Sequence, residues 1–299
     1  MEKFKNMNLK YIVKNKISIN DILAKKYNIS SRLKNKLIHH QLVLVNGKFI
    51  DTRTILIPGD IVTILLDYDE DNSNIYPTKM NLDIVYEDDF FLVINKPSGI
   101  PVHPSILHFK DSLSNGIKFY FDSIGLHKKI RAVNRIDLGT SGLVLFAKNE
   151  YIQECLIKQM NNNLFKKTYL AIVEGSLLDK SGTISLPIAR KENSIIERCI
   201  SPLGQKAITK YKVIKEFNNY SLVECFLETG RTHQIRIHMA HVGHPLLGDT
   251  LYNSNPGKLI NRQALHSYKM EFIHPTNYKK IRLKSPIPDD MLYLIEKKS

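Results

Sequence analysis

An acidic break at residues 67–74 divides the chain into two parts with different residue patterns. The stretch from Asp67 to Asn74 carries four Asp or Glu residues and no apolar run, and Pro77 follows it. Such a stretch interrupts hydrophobic patterning and is typical of a linker. We therefore predict a small module over residues 1–67 with its core at 17–67, a linker over 68–80 and a larger domain over 81–299.

The part before this break is strongly basic. Residues 1–67 hold 12 Lys or Arg against 5 Asp or Glu, a net charge of +7 that is half of the +14 of the whole chain. A basic protein often neutralises the phosphates of a nucleic acid, although a Lys-rich surface that is merely solvated has the same composition. Charge alone leaves nucleic-acid binding open.

The same part shows the pattern of two short helices followed by small strands. Ile19, Ile22 and Leu23 recur at helical spacing, and Ser30 or Ser31 could cap a second helix. In that second helix the pattern predicts three inward and three exposed positions: Leu33, Leu37 and Ile38 inward, and Arg32, Lys34 and Lys36 exposed. The apolar run 42–45 leads into Asn46-Gly47, a strong hairpin signal, and a further strand is predicted at 61–66.

From Asp83 onward, many short apolar runs are separated by turns rather than by regularly spaced helices. The strand-like segments are 91–94, 143–146, 169–173 and 221–227. This pattern predicts an α+β domain with a mixed sheet.

Composition excludes several classes of protein. No run of about 18 apolar residues could span a bilayer, and the first 19 residues lack the continuous apolar stretch of a secretory signal. The three cysteines, Cys155, Cys199 and Cys225, are far apart and odd in number. Unpaired thiols in a reducing cytoplasm are therefore expected, with no membrane association.

The loop before one apolar strand carries the strongest chemical signal. Asn134-Arg135-Ile136-Asp137 is followed by Gly139-Thr140-Ser141-Gly142 and then by the apolar run. Backbone donors and a guanidinium in such a loop can keep a carboxylate ionised, and an ionised carboxylate can act as a nucleophile. From the residues alone, the commoner interpretation is a turn aspartate that caps the local backbone.

This segment resembles the signature of the RluA-type pseudouridine synthases: His-Arg-Leu/Ile-Asp, two variable residues, Thr-Ser-Gly, and an apolar strand ending in Ala-Lys. Asn134 departs from it, standing where the family usually has His. That position is not the nucleophile, so the departure leaves catalysis intact but the subfamily and the RNA target open. Further blocks are similar to the family, in order, at residues 93–104, 166–171, 227–249 and 285–291.

The resemblance implies a role for each matching residue. Asp137 is the family's nucleophile and Arg135 its companion arginine, while Tyr169 lies beside the target base as a stacking residue or a proton acceptor. Arg231 is expected to pair with Asp137. His233 and Arg236 are expected to face the RNA or the pocket.

Residues 17–67 resemble the S-four-type RNA-binding module, named after a small-subunit ribosomal protein. The matching residues include Ser31-Arg32, the run 42–47 and Pro58-Gly59-Asp60. This resemblance implies RNA contact through the second helix and the adjoining hairpin. The implied contact residues are Arg32, Lys34 and Lys36.

Rival functions fit the residues less well. A glycoside hydrolase would need a second carboxylate as general acid, and the matching motifs offer Arg and Tyr instead. A metal site among His233, His238, His241 and His244 would lack carboxylate ligands at suitable spacing. A non-catalytic RNA-binding or ribosome-assembly protein would have no need of Asp137, Tyr169 and Arg231 together.

We therefore expect an RNA pseudouridine synthase without cofactor or metal. Its expected substrate is structured RNA, chiefly large-subunit ribosomal RNA, with transfer RNA as the alternative. The target base must be extruded from its stack before attack, and loops or bulges make that easier. A monomer is expected, since no heptad or large apolar stripe is visible.

Overall fold

The computed structural model describes residues 8–296, and its first part is a small sheet with two helical segments. The strands are β1 Leu9–Ile12, β2 Ile17–Ser18, β3 Val43–Val45, β4 Lys48–Phe49, β5 Ile55–Leu56 and β6 Ile61–Ile64. Helix α1 (Ile19–Asp21) continues into a π-helical segment, Ile22–Lys26, and α2 (Ser31–His39) follows. The sheet order is β1-β6-β3-β4, and β2 pairs with β5.

Local sequence signals account for these elements. Ser30 caps α2, because its hydroxyl accepts a hydrogen bond from the Leu33 N–H. Asn46 and Gly47 join β3 to β4, and both have the positive φ that a tight hairpin turn of matching twist requires. Leu33 and Leu37 are fully buried, as the helical spacing predicted. The two helical segments and the hairpin that were predicted here are present.

The rest of the chain is built on one ten-stranded sheet. Its elements are β7 Ile84–Glu87, β8 Phe91–Lys96, β9 Arg131–Ala132, β10 Ser141–Ala147, β11 Lys166–Glu174, β12 Ser181–Ser185, the separate hairpin β13 Ile188–Arg190 and β14 Arg198–Ile200, β15 Ile208–Glu216, β16 Tyr220–Leu227, β17 Leu265–Ile273 and β18 Lys280–Lys284. The main order is β12-β15-β16-β11-β17-β10-β8-β7, with β18 on β17 and β9 on β10. All pairs are antiparallel except β10 with β17, so the predicted mixed sheet of an α+β domain is confirmed.

Four helices cover this sheet. They are α3 Leu113–Ser123, α4 Glu150–Asn161, α5 Gln234–His241 and α6 Asp289–Glu296. Helices α3 and α5 pack into one apolar cluster that also contains Tyr169, whereas α6 packs into another beneath Leu170 and Ile172. Because Tyr169 and Leu170 are adjacent on β11, these clusters lie on opposite faces of the strand.

The segment predicted to be a linker, residues 68–80, lies along the larger part of the structure. The Glu70 N–H donates to the His127 carbonyl, and the Asn72 amide donates to the Lys128 carbonyl. One apolar cluster also runs from Leu33 and Leu37 of α2 to residues of the large sheet. The boundaries at 67 and 81 stay predictions.

A cluster of four charges fixes α2 against the larger part. The Lys36 ammonium lies 3.1 Å from Glu70 and 3.0 Å from Glu150, and Arg131 makes two bonds of 2.6 Å to Glu70. Burial alone would lower the pKa of Lys36, but hydrogen bonding to the Tyr68 side chain and to these carboxylates raises it. The prediction that Lys36 contacts RNA is therefore not supported, since two carboxylates already hold its ammonium.

The other two residues of α2 that were predicted to contact RNA are not held between two carboxylates as Lys36 is. Arg32 is almost fully exposed, with its Nε 3.9 Å from Glu150, and Lys34 is half-buried. Their RNA contacts stay predictions. Within residues 8–296, no helix is both long and apolar enough to cross a bilayer.

We predict that Glu70→Gln lowers the free energy of unfolding by about 2 to 3 kcal/mol at neutral pH, because Arg131 would be left without its buried carboxylate. Urea unfolding measures this. Asp51→Asn is the matched control, since the Asp51–Arg53 pair is exposed, and it should leave stability unchanged within error.

The Glu70 effect has a defined pH dependence. Burial alone would raise the pKa of Glu70, but Arg131 and Lys36 hold it below its usual value. A lowered pKa stabilises the folded state fully above the unfolded pKa of about 4.3, and this stabilisation is lost as the pH falls through the lowered value. The gap between wild type and Glu70→Gln should therefore close in acid. An unchanged gap would contradict the assignment.

Candidate active site

A cleft of about 820 Å³ brings together the distant segments singled out in the sequence. Its walls come from the loop before β10, from the start of β11 and from the segment 227–236 that leads into α5. Asp137 lies in this cleft with a quarter of its side chain exposed. The cleft therefore combines an accessible carboxylate with walls of mixed polarity.

The loop that carries Asp137 is tied to the strand that follows it. The Asn134 side chain donates to the Leu143 carbonyl and accepts from the Leu145 N–H, so it satisfies two backbone groups of β10. The Thr140 N–H donates to the Asp137 carbonyl and closes a turn. Asn134, the departure from the family signature, thus has a structural role at the base of the loop.

Gly142 permits the close approach of β10 to β17. Its φ is +107°, and a Cβ on it would lie 2.3 Å from the Ser267 carbonyl oxygen. Any side chain would clash with that backbone and be strained in that conformation. The glycine therefore allows the parallel pairing that places the Asp137 loop beside Tyr169.

Lys96 stabilises the loop that carries Asp137 by hydrogen bonds to backbone carbonyls. It is fully buried, and its ammonium donates to the carbonyls of Pro97, Ile100 and Leu138 at 2.7 to 3.2 Å. Burial, helped by the positive charge of Arg262 and opposed by Asp137, lowers the pKa of Lys96 to about 7. Lys96 lies in the first family block, yet its own role was not predicted.

Arg236 holds Asp137 in place. Its Nη1 lies 3.2 Å from Asp137 Oδ2, while Nε and Nη2 each lie 2.7 Å from the carboxylate of Asp249. Asp249 is buried and also accepts the N–H groups of Leu251 and Tyr252. Burial alone would lower the pKa of Arg236, but the two carboxylates raise it. The guanidinium is thus a permanent cation shared by two acids.

The predicted pairing of Arg231 with Asp137 is wrong. Arg231 is exposed, and its Nε donates to the Lys206 carbonyl at 3.1 Å. The physical reason is that Arg231 precedes α5, which begins at Gln234, whereas Arg236 lies in the first turn of that helix on the side of the cleft. Asp249, the last residue of the matching block 227–249, was the missed signal.

His233 is in a strained conformation beside this pair. Its φ of 57° is left-handed, which is uncommon for a residue other than glycine and often marks a functional site. Its Nε2 lies 3.9 Å from Asp137, and its Nδ1 shares a hydrogen bond of 2.8 Å with the Tyr252 hydroxyl. Burial lowers the pKa of His233. Burial therefore favours the neutral imidazole.

Tyr169 and Arg135 also line the cleft, and their predicted roles beside the target base and beside the nucleophile stay predictions. Tyr169 is buried, and burial together with the nearby Asp137 raises its pKa to about 12. At neutral pH it is a phenol that can stack or donate, but is a weak base. Arg135 is exposed at the rim of the cleft. Burial lowers the pKa of His103, and the positive charge of Arg135 lowers it further.

Three of the four histidines considered as metal ligands, His233, His238 and His244, have hydrogen-bond partners in the protein. His238 is buried, with one ring nitrogen 2.9 Å from the Thr209 hydroxyl and the other 2.9 Å from the Leu186 carbonyl. Within the described residues, no three His, Cys, Asp or Glu side chains are grouped so as to hold a metal ion.

Comparison with known proteins relates this cleft to one family. Residues 90–241 match the family described as RNA pseudouridylate synthase. Two uncharacterized RNA pseudouridine synthases of Bacillus subtilis, YjbO and YhcT, are 39% and 42% identical, over 84% of this chain and 89% and 83% of theirs. A ribosomal large subunit pseudouridine synthase D of Pasteurella multocida is 34% identical over 89% of this chain and 86% of its own.

Solved structures show the same fold. Human RNA pseudouridylate synthase domain containing 1 superposes with a TM-score of 0.58 at 26% identity, covering 69% of this chain and 83% of its own. The human domain-containing 4 protein has the same TM-score at 21% identity, covering 70% and 90%.

We predict that His233 titrates below 6.5 in the free protein and that Asp137→Asn lowers its pKa further. Burial and Arg236 lower this pKa, while the Asp137 carboxylate opposes them. Histidine NMR signals followed against pH measure both values, and His233→Gln assigns the peak. A pKa that rises in Asp137→Asn would contradict the geometry.

Proposed function

Because the chain belongs to the RNA pseudouridylate synthase family, we propose that it isomerises uridines of large-subunit ribosomal RNA with Asp137 as the nucleophile. Isomerisation of uridine in RNA is the activity of the family. The choice of RNA and the residue roles are our proposal. The observation that carries it is the partly exposed carboxylate of Asp137, held by Arg236 and facing a cleft of about 820 Å³.

The reaction needs few protein groups. The bond between uracil N1 and ribose C1′ is broken, the uracil turns, and C5 bonds to C1′. The proton of C5 then leaves while N1 gains one, so the substrate and product are isomers. One ionised carboxylate suffices to engage the sugar while the base is detached. Arg236 keeps this carboxylate oriented, because two of its N–H groups are already fixed on Asp249.

Tyr169 and the rim residues are proposed to position the base and the RNA backbone. Tyr169 is a neutral phenol, so it is better suited to stacking on the uracil or donating to it than to accepting the C5 proton. Arg135 and Arg231 are exposed cations at the cleft, where they are placed to contact phosphates or the strand that the target base leaves. His233 is proposed to contact the ribose.

Several features support large-subunit ribosomal RNA as the substrate. Relatives named ribosomal large subunit pseudouridine synthase D, from four genera, are 33% to 35% identical over 85% to 89% of this chain. The chain is strongly basic, and on α2 Arg32 is exposed and Lys34 is half-buried. Phosphate contacts offset the few kcal/mol that base extrusion costs.

We predict that Asp137→Asn abolishes pseudouridine formation while leaving RNA affinity within about twofold. The carboxylate supplies the nucleophile but only a small part of the contact surface. The measurement maps pseudouridine across ribosomal and transfer RNA from cells that lack this gene and carry the wild-type or variant copy. Binding is measured with unmodified large-subunit ribosomal RNA.

Asp179→Asn serves as the control, since Asp179 is exposed and outside the cleft lining. Sites restored by the wild type and by Asp179→Asn, but not by Asp137→Asn, would establish the activity and name the uridines. Restored sites confined to transfer RNA would replace the proposed substrate. Equal restoration by Asp137→Asn would refute the proposed nucleophile.

We also predict that Arg236→Lys lowers kcat by about 10- to 100-fold with little change in KM, because lysine cannot bridge two carboxylates with a planar fork. Arg231→Lys keeps a charge at an exposed position and should change kcat less than about threefold. Single-turnover assays on one RNA separate substrate binding from the chemical step. Equal losses in both variants would contradict the observed pairing.

A further inference from the structure

A row of side chains crosses the face of the sheet opposite to Tyr169. Register places Lys210 beside Phe226, Phe226 beside Thr168, Thr168 beside Lys269, and Lys269 beside Lys284. These residues belong to five neighbouring strands, so the row extends about 19 Å at a spacing of about 4.8 Å. Because Thr168 and Tyr169 are adjacent, their side chains point to opposite faces.

The row lines a groove of about 650 Å³ that runs into the active-site cleft. Four residues line both spaces, namely Phe165, Lys167, Leu227 and Glu228. They lie just before and at the start of β11, at the end of β16 and just past it. A strand of RNA that leaves the cleft can therefore pass around these strand ends and reach the row without crossing the sheet.

The groove has an excess of positive charge. Its lining includes four exposed lysines and an arginine, together with Lys167, against the carboxylates of Glu228 and Glu271. Three cations have acidic neighbours: Lys210 with Glu228, Lys269 with Glu224, and Arg282 with Glu271. Within residues 8–296, no carboxylate lies within 4 Å of Lys166, Lys167 or Lys284.

Two features of the row suit an RNA ligand. Lys269 and Lys284 stand directly opposite each other on β17 and β18, and both ammoniums lie over the Tyr268 ring, at 4.9 and 5.0 Å from its centroid. Phe226 is 37% exposed among the lysines. The two ammoniums offer adjacent cations to a phosphate backbone, and the Phe226 ring offers a face on which a base can stack.

Lys167 marks the passage between the two spaces. It is on the same face as Tyr169, and within the described residues its ammonium has no hydrogen-bond or ion-pair partner. Burial, the one cause acting on it, lowers its pKa. An entering phosphate would supply the counter-charge that the protein does not provide.

We propose that this row, Lys210, Phe226, Thr168, Lys269 and Lys284, together with Lys166, is a second RNA-binding surface. It holds the backbone of the strand that continues from the target uridine around the ends of β11 and β16. The proposal rests on RNA being the substrate. It adds a contact on the reverse of the sheet, the face opposite to Tyr169, so that the RNA contacts both faces of the sheet.

The test uses the double variant Lys166→Gln/Lys284→Gln, which removes two exposed charges without breaking an ion pair. On a long unmodified large-subunit ribosomal RNA fragment, its dissociation constant should rise about tenfold, and the slope of log affinity against log salt should fall by about 1.5. With a short stem-loop that contains the target uridine alone, KM and kcat should match the wild type. Lys129→Gln/Lys258→Gln, two exposed lysines outside both linings, is the charge-matched control and should bind as the wild type does.

The thermal midpoint separates binding from folding. It should stay within error of the wild-type value in Lys166→Gln/Lys284→Gln, because both side chains are exposed and neither makes an ion pair within residues 8–296. Affinity equal to that of the control double variant, or an equal loss on the short stem-loop, would overturn the proposal. The long-RNA arm measures binding alone, so its result stands whether or not the ribosomal target proposed above is correct. The KM and kcat arm uses a stem-loop around a uridine that the pseudouridine mapping identifies.

Discussion

The guanidinium of Arg236, shared between Asp137 and Asp249, is the interaction on which the geometry of the site depends. A buried cation is costly unless it is paired, and the buried carboxylate of Asp249 supplies two short bonds. Because the guanidinium is a rigid planar fork, fixing two N–H groups also fixes the direction of the third. Asp137 is therefore positioned by a residue 112 places later in the chain, through an arginine on α5.

Contacts around the site hold Asp137 and Arg236 in this arrangement. Asn134 binds the base of the Asp137 loop to β10, and Lys96 binds its far side through the Leu138 carbonyl. Gly142 lets β17 approach, which brings Tyr169 to the same cleft. The left-handed His233 then starts α5 at the angle that directs Arg236 inward. Backbone strain of this kind persists where neighbours determine the conformation, and here they do so from several sides.

The sequence predicts features that depend on local signals, but not those that depend on long-range contacts. The Ser30 cap and the Asn46-Gly47 turn depend on residues a few positions apart, and both were readable. The mixed sheet followed from the run of short apolar segments. Asp137 needed a family resemblance, because from the residues alone a turn aspartate is the commoner interpretation of its loop. Arg231 and Arg236 are five residues apart in one block, and only the start of α5 decides which of them meets Asp137.

The lysines show most clearly that long-range contacts cannot be predicted from local sequence, because three of them lie in three different environments. Lys36 is held by Glu70 and Glu150, which lie 34 and 114 positions away, so no local pattern could have shown that it is occupied. Lys96 is buried among carbonyls, and Lys284 faces another lysine across a strand pair. A net charge of +14 counts all three alike. The charge available to an external ligand is what is left after internal pairing, and that remainder is less on α2 than its sequence indicates. This is why the proposed RNA-binding surface includes the reverse of the sheet as well as the basic front module.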